Sequence, residues 1–296
     1  MAQPSNTFDS YDANGIREDL ENVIYDISPE ETPFYSSLKK VKASNTYHEW
    51  QTDALRSSAA NAHIEGDDTT GDARAVTTRL GNYTQIFKNA VVIPDTDSGL
   101  DKAGRASEMA YQVLKIAKEQ KLDIEKALFD NNAYVAGNAT TARELAGCGA
   151  YVTTNTANVG TNGAEPTGSV PGATARTDGT ATVFAQADFD TVMQSIWEEG
   201  GKPDTVYLSA FQMKKALGFT GLKNQRSTIG AAVGGTNAVV NAVDVYVTPW
   251  GTVDFVPSRE NRSRDVWIMQ SDMWACGVLR PTKNCLLYTS PSPRDS

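Results

Sequence analysis

Apolar positions early in the chain recur at helical spacing. Ile16, Leu20, Val23 and Ile24 fall at i, i+4, i+7 and i+8, which predicts one stripe on a short helix. Ser28 precedes Pro29, with Glu31 three residues after the serine, the spacing of a capping box. Thr32-Pro33 offers a second helix start leading into FYSSL, so a short, bent element is expected there. From Asn45 the period drops toward two, and YHEWQ alternates as a half-exposed strand does. Residues 57–75, SSAANAHIEGDDTTGDARA, are small, polar and acidic, with no apolar period. TRLGNYTQIFKNAVVIP then returns to β-branched and aromatic residues. Strand, polar tip and strand predict a long hairpin with almost no core of its own. An isolated hairpin is marginal in water, so this one must lean on something else, and a neighbouring subunit is the natural candidate.

The strongest helix signal follows in residues 103–130, AGRASEMAYQVLKIAKEQKLDIEKALFD, where Met109, Val113, Ile116, Ala117, Ile124 and Leu128 form one stripe. A helix of that length spans about 40 Å, a spine for a whole domain. Residues 149–182 are rich in Gly, Thr, Ala and Asn and read as a long surface loop with weak strands at most. FAQADFDTVMQSIWEEG returns a helix stripe through Phe189, Val192, Met193 and Ile196, ended by Gly200 and Gly201. PDTVYLSAF reads as a strand, FQMKKALGF as a short helix, and AVDVYVTPWGTVDFVPS as two strands around Pro249-Trp250-Gly251. VWIMQ and ACGVLRP complete a strand-rich end, and the mixed order points to the α+β class.

Composition narrows the function more than the fold. With 296 residues, 40% of them hydrophobic and 21% charged, the chain is an ordinary globular sequence of one or two domains. No apolar run approaches the roughly 18 residues of a membrane span, and the first residues lack a secretory pattern. A net charge of −9 argues against a protein that coats nucleic acid, though not against one that encloses it. Cys148, Cys276 and Cys285 are widely spaced and make no metal-type pair. Of the two histidines, His48 belongs to the predicted strand and His63 to the polar tip. No H-E-x-x-H, P-loop, dinucleotide fingerprint or G-x-S-x-G elbow is present. Glu65, Asp67, Asp68 and Asp72 offer carboxylates to a hard cation, but a solvated loop is the plainer reading. Asp95-Thr96-Asp97-Ser98-Gly99 opens like a calcium loop, yet its glycine is one position early and Ala106 stands where the closing glutamate belongs. A turn and cap before the long helix is expected there. No catalytic residue, cofactor or metal is predicted, because no nucleophile, base and orienting group converge.

The stretches GIREDLENVIYDISPEETPFYSSL, NTYHEWQTDAL, IEGDD, and NYTQIFKNAVVIP running into AGRASEMAYQVLKIAKEQKLDIEKAL are followed by NATTARELAG, PDTVYLSAF and AVDVYVTPWGTVDFVPSRENRSRDVWIM. Together they resemble the major capsid proteins of tailed double-stranded DNA phages, which share the Hong Kong 97-type fold. The resemblance implies an N-terminal arm at 1–44, an extended loop at 45–93 overlying an adjacent subunit, and a peripheral domain with the spine helix at 94–140. It further implies an axial domain at 141–255, carrying the 149–182 excursion, and a return to the peripheral domain at 256–284. The function implied is a structural subunit that self-assembles through hexamers and pentamers into an icosahedral shell around DNA. Portal, scaffolding and decoration proteins are the implied partners, and no membrane is involved. A nanocompartment shell packaging enzymes, or another virion structural protein, is the alternative. No Lys–Asn–Glu constellation can be placed, so no covalent cross-linking is expected. On this reading the acidic tip, Glu65, Asp67, Asp68 and Asp72, meets a neighbour's basic patch at Lys115, Lys118 and Lys121.

Cys285 to Asp295, CLLYTSPSPRD, is identical to the translation of a transposase adapter used in sequencing libraries. Residues 285–296 are therefore expected to be non-native and are left out of the fold reading.

Overall fold

The structure, a computed structural model, describes residues 31–68, 71, 73–157, 160, 162–167, 170–219 and 245–285. The helix expected at residues 16–24, the Ser28 cap and Asp72 lie outside the described residues. The chain divides into two compact units, Met1–Pro29 with Asn89–Lys118, and Glu30–Lys88 with Glu119–Ser296.

The second unit is built on a four-stranded sheet. Its strands are β4 (Thr205–Leu208), β5 (Val245–Thr248), β6 (Gly251–Pro257) and β7 (Val266–Met269), in the order β5-β6-β4-β7. β4 runs parallel to β6 and antiparallel to β7, and β5 and β6 form the hairpin expected around Pro249-Trp250-Gly251. Alternation along the strands feeds two separate cores. Val206 and Leu208 point into one with Phe189, Met193, Val253 and Phe255, while Tyr207 points into the other with Phe34, Phe129, Trp267 and Met269. Helices α5 (Gln186–Glu198) and α6 (Ala210–Ala216) cover the first face. α1 (Pro33–Ser37) and the C-terminal end of α3 (Glu108–Phe129) cover the second.

The helix ends follow local chemistry. Gly200, at φ 87°, ends α5 in a Schellman pair, its N–H donating to Trp197 O and that of Gly201 to Ile196 O at 2.8 Å. Ser209 caps α6, accepting from Gln212 N. α3 is shorter than expected, 22 residues beginning at Glu108 and not at residue 103. Gly104, at φ 77°, breaks the helical path, and Ser107 supplies the cap by accepting from Ala110 N at 3.4 Å. In the first unit, Asp95–Ser98 forms the one-turn helix α2, and Lys102 joins Asp97 at 2.5 Å to Glu108 at 3.1 Å.

Two smaller strand pairs complete the second unit. β1 (Lys39–Lys42) pairs in parallel with β8 (Ala275–Val278), and β2 (Tyr47–Thr52) pairs antiparallel with β3 (Thr78–Tyr83). β3 stops at Tyr83 although strand-like residues run on to Ile93. Its partner is exhausted, because the last cross-strand bond is Thr84 N to Thr46 O at 2.8 Å. The excursion expected from residue 149 begins inside the body: α4 (Cys148–Tyr151) carries buried Cys148, Gly149 and Ala150. Its later part is held by a bridge between Ala164 and Thr177.

Candidate assembly surface

The β2–β3 ribbon is anchored at one end and bare at the other. At its root Tyr47 lies 4.5 Å from Tyr83, ring centre to ring centre, and Tyr134 lies 5.3 Å from Tyr83. Asn82 and Ala146 exchange a reciprocal pair of bonds, Nδ2 to the Ala146 carbonyl at 3.2 Å and the Ala146 N–H to Oδ1 at 3.0 Å. Tyr151 donates its hydroxyl to Gly81 O at 3.0 Å. Beyond the strands, Arg143 reaches Thr84 O at 2.5 Å and Gln120 reaches Phe87 O at 3.1 Å, so two carbonyls of chain that lacks a partner strand are met by side chains.

Residues 53–77, between the two strands, show the opposite character. Leu55 is 99% exposed, Ile64 83% and Val76 88%, three large apolar side chains presented to solvent on one connection. Glu65, Asp67 and Asp68 are exposed on the same stretch, around a turn in which Gly66 takes φ 86° and Asp67 N bonds Ile64 O. His63 Nδ1 approaches Asp67 at 3.9 Å and its Nε2 pairs with Asn61 at 2.8 Å, so the tip is organised by its own side chains. Among the described residues no three His, Cys, Asp or Glu converge as metal ligands would. Of the basic residues predicted to meet this tip, Lys115 and Lys118 are exposed on α3 in the first unit, and Lys121 is exposed on α3 in the second.

Two polar centres escaped the sequence reading. The first is a network in which Arg176 meets Asp265 at 2.5 Å and Asp178 at 3.6 Å, Arg262 meets Asp178 and also Asp265 at 3.0 Å, and Arg264 meets Asp178 at 3.6 Å. It ties the end of the 149–182 excursion to the turn before β7. Burial pushes the Asp178 carboxyl up, but the Arg262, Arg264 and Arg176 guanidiniums outweigh it and hold the group below its usual range. The second centre is Glu125 on the inner face of α3, fully buried, accepting from the N–H groups of Phe34 at 3.1 Å and Tyr35 at 2.6 Å and from Ser258 Oγ at 3.2 Å. The cluster of charges in SRENRSRD is the one local signal from which the first could have been found. Nothing in the spacing around Glu125 marks the second.

The model of the SU10 major capsid protein family matches residues 3–287, nearly the whole chain. The chain belongs to the SU10 major capsid protein family. A stretch of 134 residues, 45% of the chain, is 40% identical to the major capsid protein of Escherichia phage Phieco32 and covers 38% of that protein's length. The chain thus spans well under half of that relative within the matched region. No helix among the described residues is long and apolar enough to cross a membrane.

Proposed function

We propose that this capsid-family chain is the repeating subunit of an icosahedral head shell, with a Hong Kong 97-type fold, that encloses double-stranded phage DNA. The observation that carries the reading is the β2–β3 connection. Its root is packed on aromatic and amide contacts, while Leu55, Ile64 and Val76 stand in water on a segment without a core. Large apolar side chains left in water along one connection are groups that a covering partner would bury. Residues 45–93 act as the extended loop that lies over a neighbouring copy, 1–44 as the arm, 94–140 and 256–284 as the peripheral domain, and 141–255 as the axial domain. The acidic tip, with Glu65, Asp67 and Asp68, faces Lys115, Lys118 and Lys121 of the neighbour and fixes its orientation. Many weak contacts repeated around each subunit give the shell its strength by avidity. Portal, scaffolding and decoration proteins are the further partners of such a shell. The relative named above is the major capsid protein of a phage, which weighs against an enzyme-packaging nanocompartment.

Removal of residues 57–75 with a short Gly-Ser bridge tests the loop's part. The four-stranded sheet and its cores lie elsewhere, so the shortened chain keeps its circular dichroism spectrum and melting transition while losing assembly in sedimentation. Shells of unchanged yield from the shortened chain would refute the loop's role. The charge pairing is tested separately: Asp67→Lys with Asp68→Lys lowers assembly, and adding Lys115→Glu with Lys118→Glu restores part of it. Unchanged assembly in the first double variant would refute the pairing alone.

A further inference from the structure

The N-terminus of α1 has no local cap. Thr32 stands at the cap position without a side-chain cap bond, and Pro33 has no N–H to satisfy. The next two donors, the N–H groups of Phe34 and Tyr35, are satisfied by the carboxyl of Glu125, which belongs to α3. The same carboxyl accepts from Ser258 Oγ, and Ser258 N donates to Leu208 O at 2.8 Å, so one buried group joins the head of α1, the spine helix and the end of β4. Around it Phe34 stacks on Phe129 at 4.8 Å and meets Tyr207 at 5.0 Å, and Ser37 Oγ pairs with the Tyr207 hydroxyl at 2.9 Å. All three direct partners of Glu125 are neutral groups. A titratable side chain with neutral partners, at the point where a terminal segment meets the body, is a switchable fastening.

We propose that Glu125 is a proton-controlled latch that decides how firmly residues 33–42 stay seated against the body. The charged and titratable groups near it come from every packed element: Lys40 of β1, whose ammonium holds Tyr35 O at 2.6 Å, Cys276 of β8, Cys148 of α4, Tyr207 of β4, and Glu260 beyond β6. Burial pushes the Glu125 carboxyl above its ordinary range, against the downward pull of the Tyr35, Phe34 and Ser258 donors, and Glu260 adds to the rise. The sign follows by linkage. Below the ordinary glutamate value of 4.5 the acid is protonated whether seated or released, and the fastening is at its tightest. As pH rises through the raised value, the seated state must carry a buried charge that the released state leaves in water, and the segment loosens. This latch is independent of the shell reading.

Hydrogen exchange of the full chain, followed by mass spectrometry between about pH 4.5 and 7.5 and corrected for intrinsic rates, tests it. Glu125→Gln cannot ionise and keeps one acceptor oxygen, enough for one of the two N–H groups, so the comparison is of the pH dependence and not of the absolute protection. Protection of peptides covering residues 33–42 falls about tenfold more in the native chain than in this variant across the range, while peptides from β4 change equally in both. Ser258→Ala removes a donor that favours the ionised form, so its protection matches the native chain at the acid end and falls further at the neutral end. Parallel behaviour of native chain and Glu125→Gln at every pH overturns the latch. So does loosening of β4 in step with the segment, or an equal loss in Ser258→Ala at both ends of the range.

Discussion

Gly81 lies where β3 passes Tyr47, and a Cβ there would stand 2.7 Å from Tyr47 Cζ and 2.9 Å from His48 O. The second contact is backbone and cannot swing away, so Gly81→Ala destabilises the ribbon root by about 1–3 kcal/mol in chemical denaturation. Phe189 sits at the centre of an aromatic group with Phe219, Tyr246 and Phe255, at ring distances of 6.2, 5.4 and 5.7 Å. Its removal as Phe189→Ala leaves a cavity costing about 3–5 kcal/mol, read as a lowered denaturation midpoint. Asp178 supplies a pH test of the arginine network. Its carboxyl is held below its usual value of 3.8, so its stabilising contribution is complete above that value and disappears as pH falls through the depressed one. Asp178→Asn therefore loses about 2 kcal/mol at neutral pH and shows a weaker acid-induced fall in melting temperature than the native chain. The Phe189 stripe was legible from helical spacing. Glu125 was not: it stands between Ile124 and Lys126 in a charged helix, and only the arrival of α1 from far along the chain buries it.

At the level of elements, period and punctuation carried most of the reading. β2, β3, β5, β6, β7 and β8 all lie within stretches whose alternation or β-branched content marked them, and α5 ends at the two glycines that marked its end. β1 went unseen because KKVK has a single apolar residue, and its strand character comes from pairing with β8, hundreds of residues away in sequence. The order β5-β6-β4-β7 is likewise a long-range fact that no local pattern encodes. The start of α3 was placed too early because the segment was opened at residue 103, six residues before its apolar stripe begins at Met109, whereas Gly104 and the cap at Ser107 decide the boundary. Ser107→Ala accordingly costs about 1 kcal/mol and raises amide exchange in the first turn, Glu108–Tyr111, with the end of the helix unaffected. The hairpin is an element where sequence and structure agree: two paired strands joined by a connection whose described large apolar side chains, Leu55, Ile64 and Val76, are exposed.

At the scale of the molecule, the second unit is well supplied with internal contacts among its described residues. The sheet is covered on both faces, the excursion is pinned by charged pairs, and the ribbon's root is fastened, while the ribbon's far end keeps apolar side chains in water. Negative-stain electron microscopy of the expressed full chain, alone and with the products of its neighbouring genes, tests the central claim most directly. Closed shells of uniform diameter are expected in at least one of the two preparations. A monodisperse small oligomer that never closes in either would contradict it.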